Sequence, residues 1–392
     1  IDKTEKLYYL ASSHYKLVEF DYSSDLFKKV KASANKNLSG SAGFYLGLIQ
    51  YQRENFNAAK VEFEFVLDNS VDPELDKQAE VYLERIQQDL QFLEQKKKPY
   101  YANASVGIQQ DSNILLQPDG TSSSATAADD GGLRFQLMGS LEYKAKQTKI
   151  DEWSLKSTLV YYYSVDDEFT QADPLDVTVS AAYKKNSSIS GKSYRWELEP
   201  GIETLYMDVD QEGSRENILN AVFLNWKNSI VMSERLISNY NFQIYVNDSK
   251  IDASTSDDDA SSIKYTFTYN NIYFIDREKG KILISDLGYL INDADGKNYA
   301  HTRFDLALNY IQPITLWDLT LSAKLAYNQS DYDSDDNRVD KNTSFNLTFI
   351  RSINDWLGCN ASLGYIDNKS NVDTREYDKY TIGANVTGKW NF

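Results

Sequence analysis

Residues 303–328 read RFDLALNYIQPITLWDLTLSAKLAYN. In the first half, Phe304, Leu306, Leu308 and Tyr310 alternate with Arg303, Asp305 and Asn309. In the second, Trp317, Leu319, Leu321, Leu325 and Tyr327 alternate with Asp318, Thr320, Ser322 and Lys324. A period of two sends neighbouring side chains to opposite faces, so each half is a strand with one apolar and one polar side. Only the short turn "PIT" lies between them. Each strand is more than ten residues long, against about five or six in ordinary sheets. A tilted strand that crosses a bilayer needs about 9–11 residues. Length therefore points the apolar faces toward lipid.

The same period holds from Tyr100 to Phe392. WSLKSTLVYYYSV (153–165) puts Trp153, Leu155, Leu159, Tyr161 and Tyr163 on one face. YRWELEPGIETLY (194–206) hides Arg195, Glu197, Glu199 and Glu203 behind Tyr194, Trp196, Leu198 and Ile202. The final stretch, YTIGANVTGKWNF (380–392), sets Tyr380, Ile382, Ala384, Val386, Trp390 and Phe392 against threonines, asparagines and Lys389. Fourteen segments are predicted, at 100–108, 133–147, 151–165, 174–185, 192–207, 214–229, 232–247, 261–276, 279–292, 297–312, 315–328, 341–353, 356–367 and 376–392. Short connections ("QTKID", "NSSISG", "SIV", "DREKG", "PIT", "IND") alternate with longer acidic ones such as "NDSKIDASTSDDDA" and "NQSDYDSDDNRVDKN". An even strand number, short turns at one end and long loops at the other is the pattern of an outer-membrane barrel, and closure removes exposed strand edges.

Composition agrees and excludes other classes. The chain has 392 residues and a net charge of −17, so no basic surface would neutralise nucleic-acid phosphates. Its single cysteine excludes an intramolecular disulfide framework and a multi-cysteine zinc site. No apolar run approaches the ~20 residues of a membrane helix. Ile1 opens no signal peptide, so the numbering is expected to begin at or after a processed terminus.

Residues 1–98 have another period. SAGFYLGLIQYQRENFNAAKVEFEFVLDNSVDPE (41–74) carries Leu46, Gly47, Tyr51, Asn55, Phe56, Ala59, Phe63 and Leu67 at helical spacing. Gly47 and Ala59 are small where two helices would cross closely, and Phe56 and Phe63 fill the gap. A degenerate copy lies about 36 residues earlier, at Leu10, Ala11, Tyr15, Phe20, Phe27 and Val30. A further amphipathic helix carries Ala79, Tyr82, Ile86, Leu90 and Leu93. The segment resembles tetratricopeptide repeats, stacked helix pairs with a concave face. That resemblance makes Tyr15, Tyr51 and Asn55 candidates for binding a partner. With 16 acids and 14 bases in this part, nearly all the net charge belongs to the barrel.

The predicted architecture is an all-α tetratricopeptide-like domain over 1–98 followed by an all-β antiparallel transmembrane barrel of about fourteen strands over 99–392. It resembles the surface lipoprotein assembly modifiers, as does GIQQDSNILLQPDG (107–120) near the first strand. The resemblance implies a bacterial outer-membrane protein with its helices in the periplasm. It also implies a translocon or secretion-assisting barrel that passes a protein client outward, the repeats binding the client or a periplasmic partner. An exopolysaccharide export conduit, a cation-preferring porin and a structural anchor are the alternative readings. Trp390 and Phe392 resemble the C-terminal aromatic signature read by the outer-membrane insertion machinery. The remaining partners expected are the lipid bilayer and lipopolysaccharide.

No enzymatic pattern is present and no cofactor is expected. His14 reads as a surface or packing residue, and His301, near Asp293 and Asp295 at a strand end, lacks a nucleophile pattern. The loop carboxylates Asp257, Asp258, Asp259, Asp333, Asp335 and Asp336 offer hard oxygens for divalent cations, without EF-hand spacing. Cys359, in register with Leu357, Ala361 and Leu363, is expected to face lipid. The polar strand faces, with Arg134, Glu142, Arg195, Glu197, Glu199, Glu203, Arg303, Asp305 and Lys324, are expected to line the lumen.

Overall fold

The computed structural model describes residues 2–116, 131–334 and 337–392, except the side chain of Leu316. The chain divides into two compact units, Ile1–Lys98 and Pro99–Phe392.

The first unit is five helices: α1 (Lys3–Lys16), α2 (Phe20–Lys31), α3 (Lys36–Gln52), α4 (Phe56–Asn69) and α5 (Pro73–Lys96). Asp2 and Glu5 form a reciprocal capping box at the start of α1. Asn35 caps α3, and Asp72 caps α5 with Pro73 in its first turn. Two turns repeat. Val18 closes α1 at φ 63°, with Glu19 N–H donating to the His14 carbonyl at 3.0 Å. Glu54 closes α3 at φ 58°, with Asn55 N–H donating to the Gln50 carbonyl at 2.9 Å. The two left-handed caps let the chain turn back from α1 into α2 and from α3 into α4. Each helix packs on the next. Ala11, Phe27, Val30 and Ile49 are fully buried in one cluster, Ala59, Phe63, Val66 and Ala79 in the other. Between α3 and α4 the backbones approach closely: a Cβ on Gly43 would stand 2.8 Å from the Phe65 ring, and one on Gly47 2.8 Å from Phe63.

The second unit is a closed antiparallel barrel in which each strand pairs with its sequence neighbours and the last returns to the first. Its first seven strands are β1 (Tyr100–Asp111), β2 (Gly132–Gln147), β3 (Asp151–Ser164), β4 (Leu175–Ile189), β5 (Lys192–Met207), β6 (Glu216–Ser233) and β7 (Leu236–Ser249). The others are β8 (Ser262–Asp276), β9 (Lys281–Ala294), β10 (His301–Ile314), β11 (Leu319–Tyr332), β12 (Val339–Ser352), β13 (Leu357–Ser370) and β14 (Tyr377–Asn391). Closure continues at Phe392, whose N–H donates to the Tyr100 carbonyl while Tyr100 N–H donates back, both at 3.0 Å.

The outward face is apolar, with Phe304, Leu306, Leu308, Leu325, Ile382 and Val386 exposed on it. Cys359 pairs with Val386 on this face. Aromatic rings ring the short-turn end: Tyr143, Tyr100 and Phe392 stack in sequence, Tyr183 meets Trp153 at a tilt and Trp196 edge-on, and Trp356 faces Trp390. Such a girdle suits the headgroup level of a bilayer.

Several boundaries differ from the sequence reading. The turn placed at "SIV" falls instead between Ser233 and Leu236, because β-branched Ile230 and Val231 continue the strand and charged Glu234 and Arg235 turn into water. "NSSISG" shrinks to Ser190–Gly191, at φ 52° and 75°, the two positive angles of a tight hairpin turn. β1 and β13 run on to Asp111 and Ser370, past the 108 and 367 of the alternation, because polar residues still pair where the lipid-facing pattern has ended.

Candidate functional site

The face opposite the apolar band lines the barrel interior. On β2 to β6 its charges join in a lattice. Lys144 pairs with Glu152 at 3.0 Å, and Lys184 bridges Glu152 and Glu142 at 2.9 and 3.1 Å. Lys156 bridges Glu197 and Glu199 at 2.9 and 3.0 Å. Lys227 reaches Glu197 at 3.4 Å and contacts Glu199, which also accepts from the Ser180 hydroxyl at 2.8 Å. Strand register builds this arrangement: Glu142 stands opposite Lys156, and Lys184 lies between Glu152 and Glu197. Four lysines meet four glutamates, so this wall is polar but balanced. A recess of about 440 Å³ beside it is lined by Arg195, Asn239 and Asn241.

The other wall has a different chemistry. From β11 to β14 the inward face carries Asn328, Asn342, Asn346, Asn360, Asn368 and Asn385, with Lys324 opposite Asn346. Along these strands it offers amide donors and acceptors.

The other candidates are placed as follows. Glu203 accepts from the Tyr245 hydroxyl at 3.0 Å, and Arg303 Nε contacts Asp305 at 3.1 Å. Arg134 reaches the fully buried Asp173 at 3.1 Å, and Asp173 also accepts from Ser164 Oγ at 2.8 Å. Arg134 thus ties the loop after β3 to the wall. The sequence reading missed Glu152 and the four lattice lysines. The signal was present, because Trp153 and Leu155 facing lipid put Glu152 and Lys156 on the inner face.

At the long-loop rim, Asp257 pairs with Lys297 at 3.2 Å, and the Asn298 amide donates to Asp258 at 2.8 Å. That amide, with Thr255, holds the Asp258 carboxyl below the usual range, and Ser261 N–H does the same for Asp259. Asp257 and Asp258 stitch the β7–β8 loop to the β9–β10 loop. The Asp333 N–H donates to the Ala300 carbonyl at 3.0 Å, while Asp335 and Asp336 lie outside the described residues, as do residues 117–120 of the family-like segment. Among the described residues no three metal-ligand side chains group together. His301 Nδ1 donates to the Tyr299 carbonyl at 2.7 Å, and His14 contacts Glu19.

In the helical unit, α1 touches α3 and α3 touches α5, so these three share one side. A row of half-buried tyrosines runs along it. Tyr45 lies 6.2 Å from Tyr8 and 5.1 Å from Tyr15, and Tyr51 lies 5.5 Å from Tyr82. Burial pushes the Tyr8 and Tyr15 hydroxyls up from their ordinary pKa. Tyr15 accepts from Gln52 at 3.2 Å, Tyr51 donates to Asp89 at 2.9 Å, and the Asn55 amide donates to Gln50 at 3.0 Å.

No protein-family model and no curated protein match the chain. Solved structures with a similar barrel include Pseudomonas putida OprB, 9% identical with TM-score 0.43, covering 76% of this chain and 96% of that one. A Pseudomonas aeruginosa FadL homologue is 10% identical with TM-score 0.42, covering 75% and 90%. The outer membrane protein OprD from Pseudomonas aeruginosa is 11% identical with TM-score 0.35, covering 75% and 94%. At these scores the likeness is one of barrel architecture, and the function rests on this chain's own residues.

Proposed function

We propose that this chain is an outer-membrane conduit whose helical unit, a tetratricopeptide-like module in the periplasm, recruits a protein partner. The tyrosine row on α1, α3 and α5 carries this reading. Tyrosine gives large contact area at little entropic cost together with a hydroxyl for hydrogen bonding, the chemistry of a protein-binding face. The barrel sets what can pass. Fourteen strands close into a ring about 28 Å across at the backbone, leaving roughly 15 Å between facing side chains. A folded 100-residue domain is about 30 Å or more across. A client protein therefore passes only as an extended chain, and a solute passes hydrated. A secreted or surface-bound client handed over unfolded fits both units.

The test is purification of the full-length protein from its own outer membrane, with mass spectrometry of what co-elutes, beside a Tyr15→Ala/Tyr45→Ala variant. A protein partner lost from the variant while the barrel remains folded is the expected result. Identical co-eluting proteins in both samples would overturn partner capture. A second reading, a cation-preferring porin, is favoured by the acidic long loops. It predicts a reversal potential displaced toward the cation in a salt gradient, with no dependence on the helical unit.

A further inference from the structure

Toward the long-loop end of the lumen, Arg303, Arg338 and Arg375 line a cavity of about 430 Å³, beside Tyr332 and Tyr377. Among the described residues one carboxylate, Asp340, also lines it. Its charge is already engaged: Arg338 Nε contacts both its oxygens, at 3.0 and 2.9 Å, and Ser370 Oγ donates to it at 2.7 Å. Arg338 in turn lies 4.0 Å over the Tyr332 ring, and His301 lies tilted against that ring at 4.7 Å between centroids. Arg303 uses its Nε on Asp305, so its two terminal nitrogens remain for the cavity. Arg375 is held by its backbone, the Asn368 amide donating to its carbonyl at 2.7 Å. Among the described residues, three arginines and one carboxylate line the cavity, so this lining is cationic, behind a rim that is acidic.

We propose that this cavity binds small organic carboxylates. A carboxylate is planar and accepts two parallel N–H bonds, which is the pattern a guanidinium presents. The tyrosine hydroxyls add donors beside an organic skeleton, and the volume falls within the range of small-molecule sites. The site does not depend on what the conduit passes, because it is defined by equilibrium binding.

Benzoate is the probe, titrated calorimetrically into the full-length protein in detergent at low chloride. Saturable binding is expected, weakened about tenfold or more by Arg375→Gln and by Arg303→Gln. Arg375→Lys, which keeps charge but loses the fork, should fall between. Arg195→Gln, at the other end of the lumen, should bind as the native protein does. Heat-modifiable gel mobility confirms that each variant is folded. No saturable binding to the native protein, or unchanged affinity in Arg375→Gln, overturns the proposal. Displacement of benzoate by an equal concentration of inorganic phosphate would overturn the carboxylate assignment.

Discussion

At the scale of single residues, the sharpest constraints are backbone and charge. Val18 is β-branched yet sits at φ 63°, a conformation that costs an ordinary residue about 1–2 kcal/mol. Glycine there relieves the clash but gains freedom when unfolded, so Val18→Gly should stabilise the helical unit by a net of about 0.5–1 kcal/mol. Thermal loss of helical circular dichroism reads this directly, and an earlier melt would contradict it. In the lattice, Glu199 accepts from Lys156, Lys227 and Ser180. Glu199→Gln leaves two lysines sharing Glu197. Lumenal water screens them, so the expected loss is about 1 kcal/mol, seen as a lower guanidinium midpoint for the barrel. Combining it with Lys227→Met should cost less than the two single changes added, because both act on one network.

At the scale of elements, the alternation in 303–328 carried the faces of β10 and β11, since lipid on one side and water on the other leave little choice. The turn, however, falls at Thr315–Asp318 and not at "PIT", which leaves Trp317 outside β11. Strand ends were less legible. Near the rims both faces turn polar, so Asp111, Asn368 and Ser370 continue pairing after the alternation has stopped. The loop acids also escaped a sequence reading: "DDD" at 257–259 looks like a cation site, and its partners Lys297 and Asn298 lie in another loop. The Asp258 carboxyl is held below the usual range, so its bond from Asn298 is present above the unfolded carboxylate range and is lost as pH falls through the lowered folded value. Hydrogen exchange at Gly296 and Asn298, corrected for intrinsic rates, should rise on acidification, and pH-independent protection would contradict this. In the helices, the Gly43 and Gly47 contacts predict that Gly47→Val forces α3 from α4 and costs about 1–3 kcal/mol, read by the same helical melt.

At the scale of the whole molecule, the class was legible because two periods, one helical and one of two residues, divide the chain near residue 98. The lattice was half legible. Glu142, Glu197 and Glu199 stood out by their sign, whereas their lysine partners needed the register of neighbouring strands. The central claim is that the barrel is a polar passage with a charge-balanced wall. Recording from the full-length protein in planar bilayers, under a potassium chloride gradient, tests it most directly. The account predicts steady ion conductance, with the reversal potential moving toward chloride in Glu197→Gln/Glu199→Gln, where the lattice lysines lose two counter-charges. A protein that inserts yet holds off current, both intact and with residues 1–98 deleted, would contradict it.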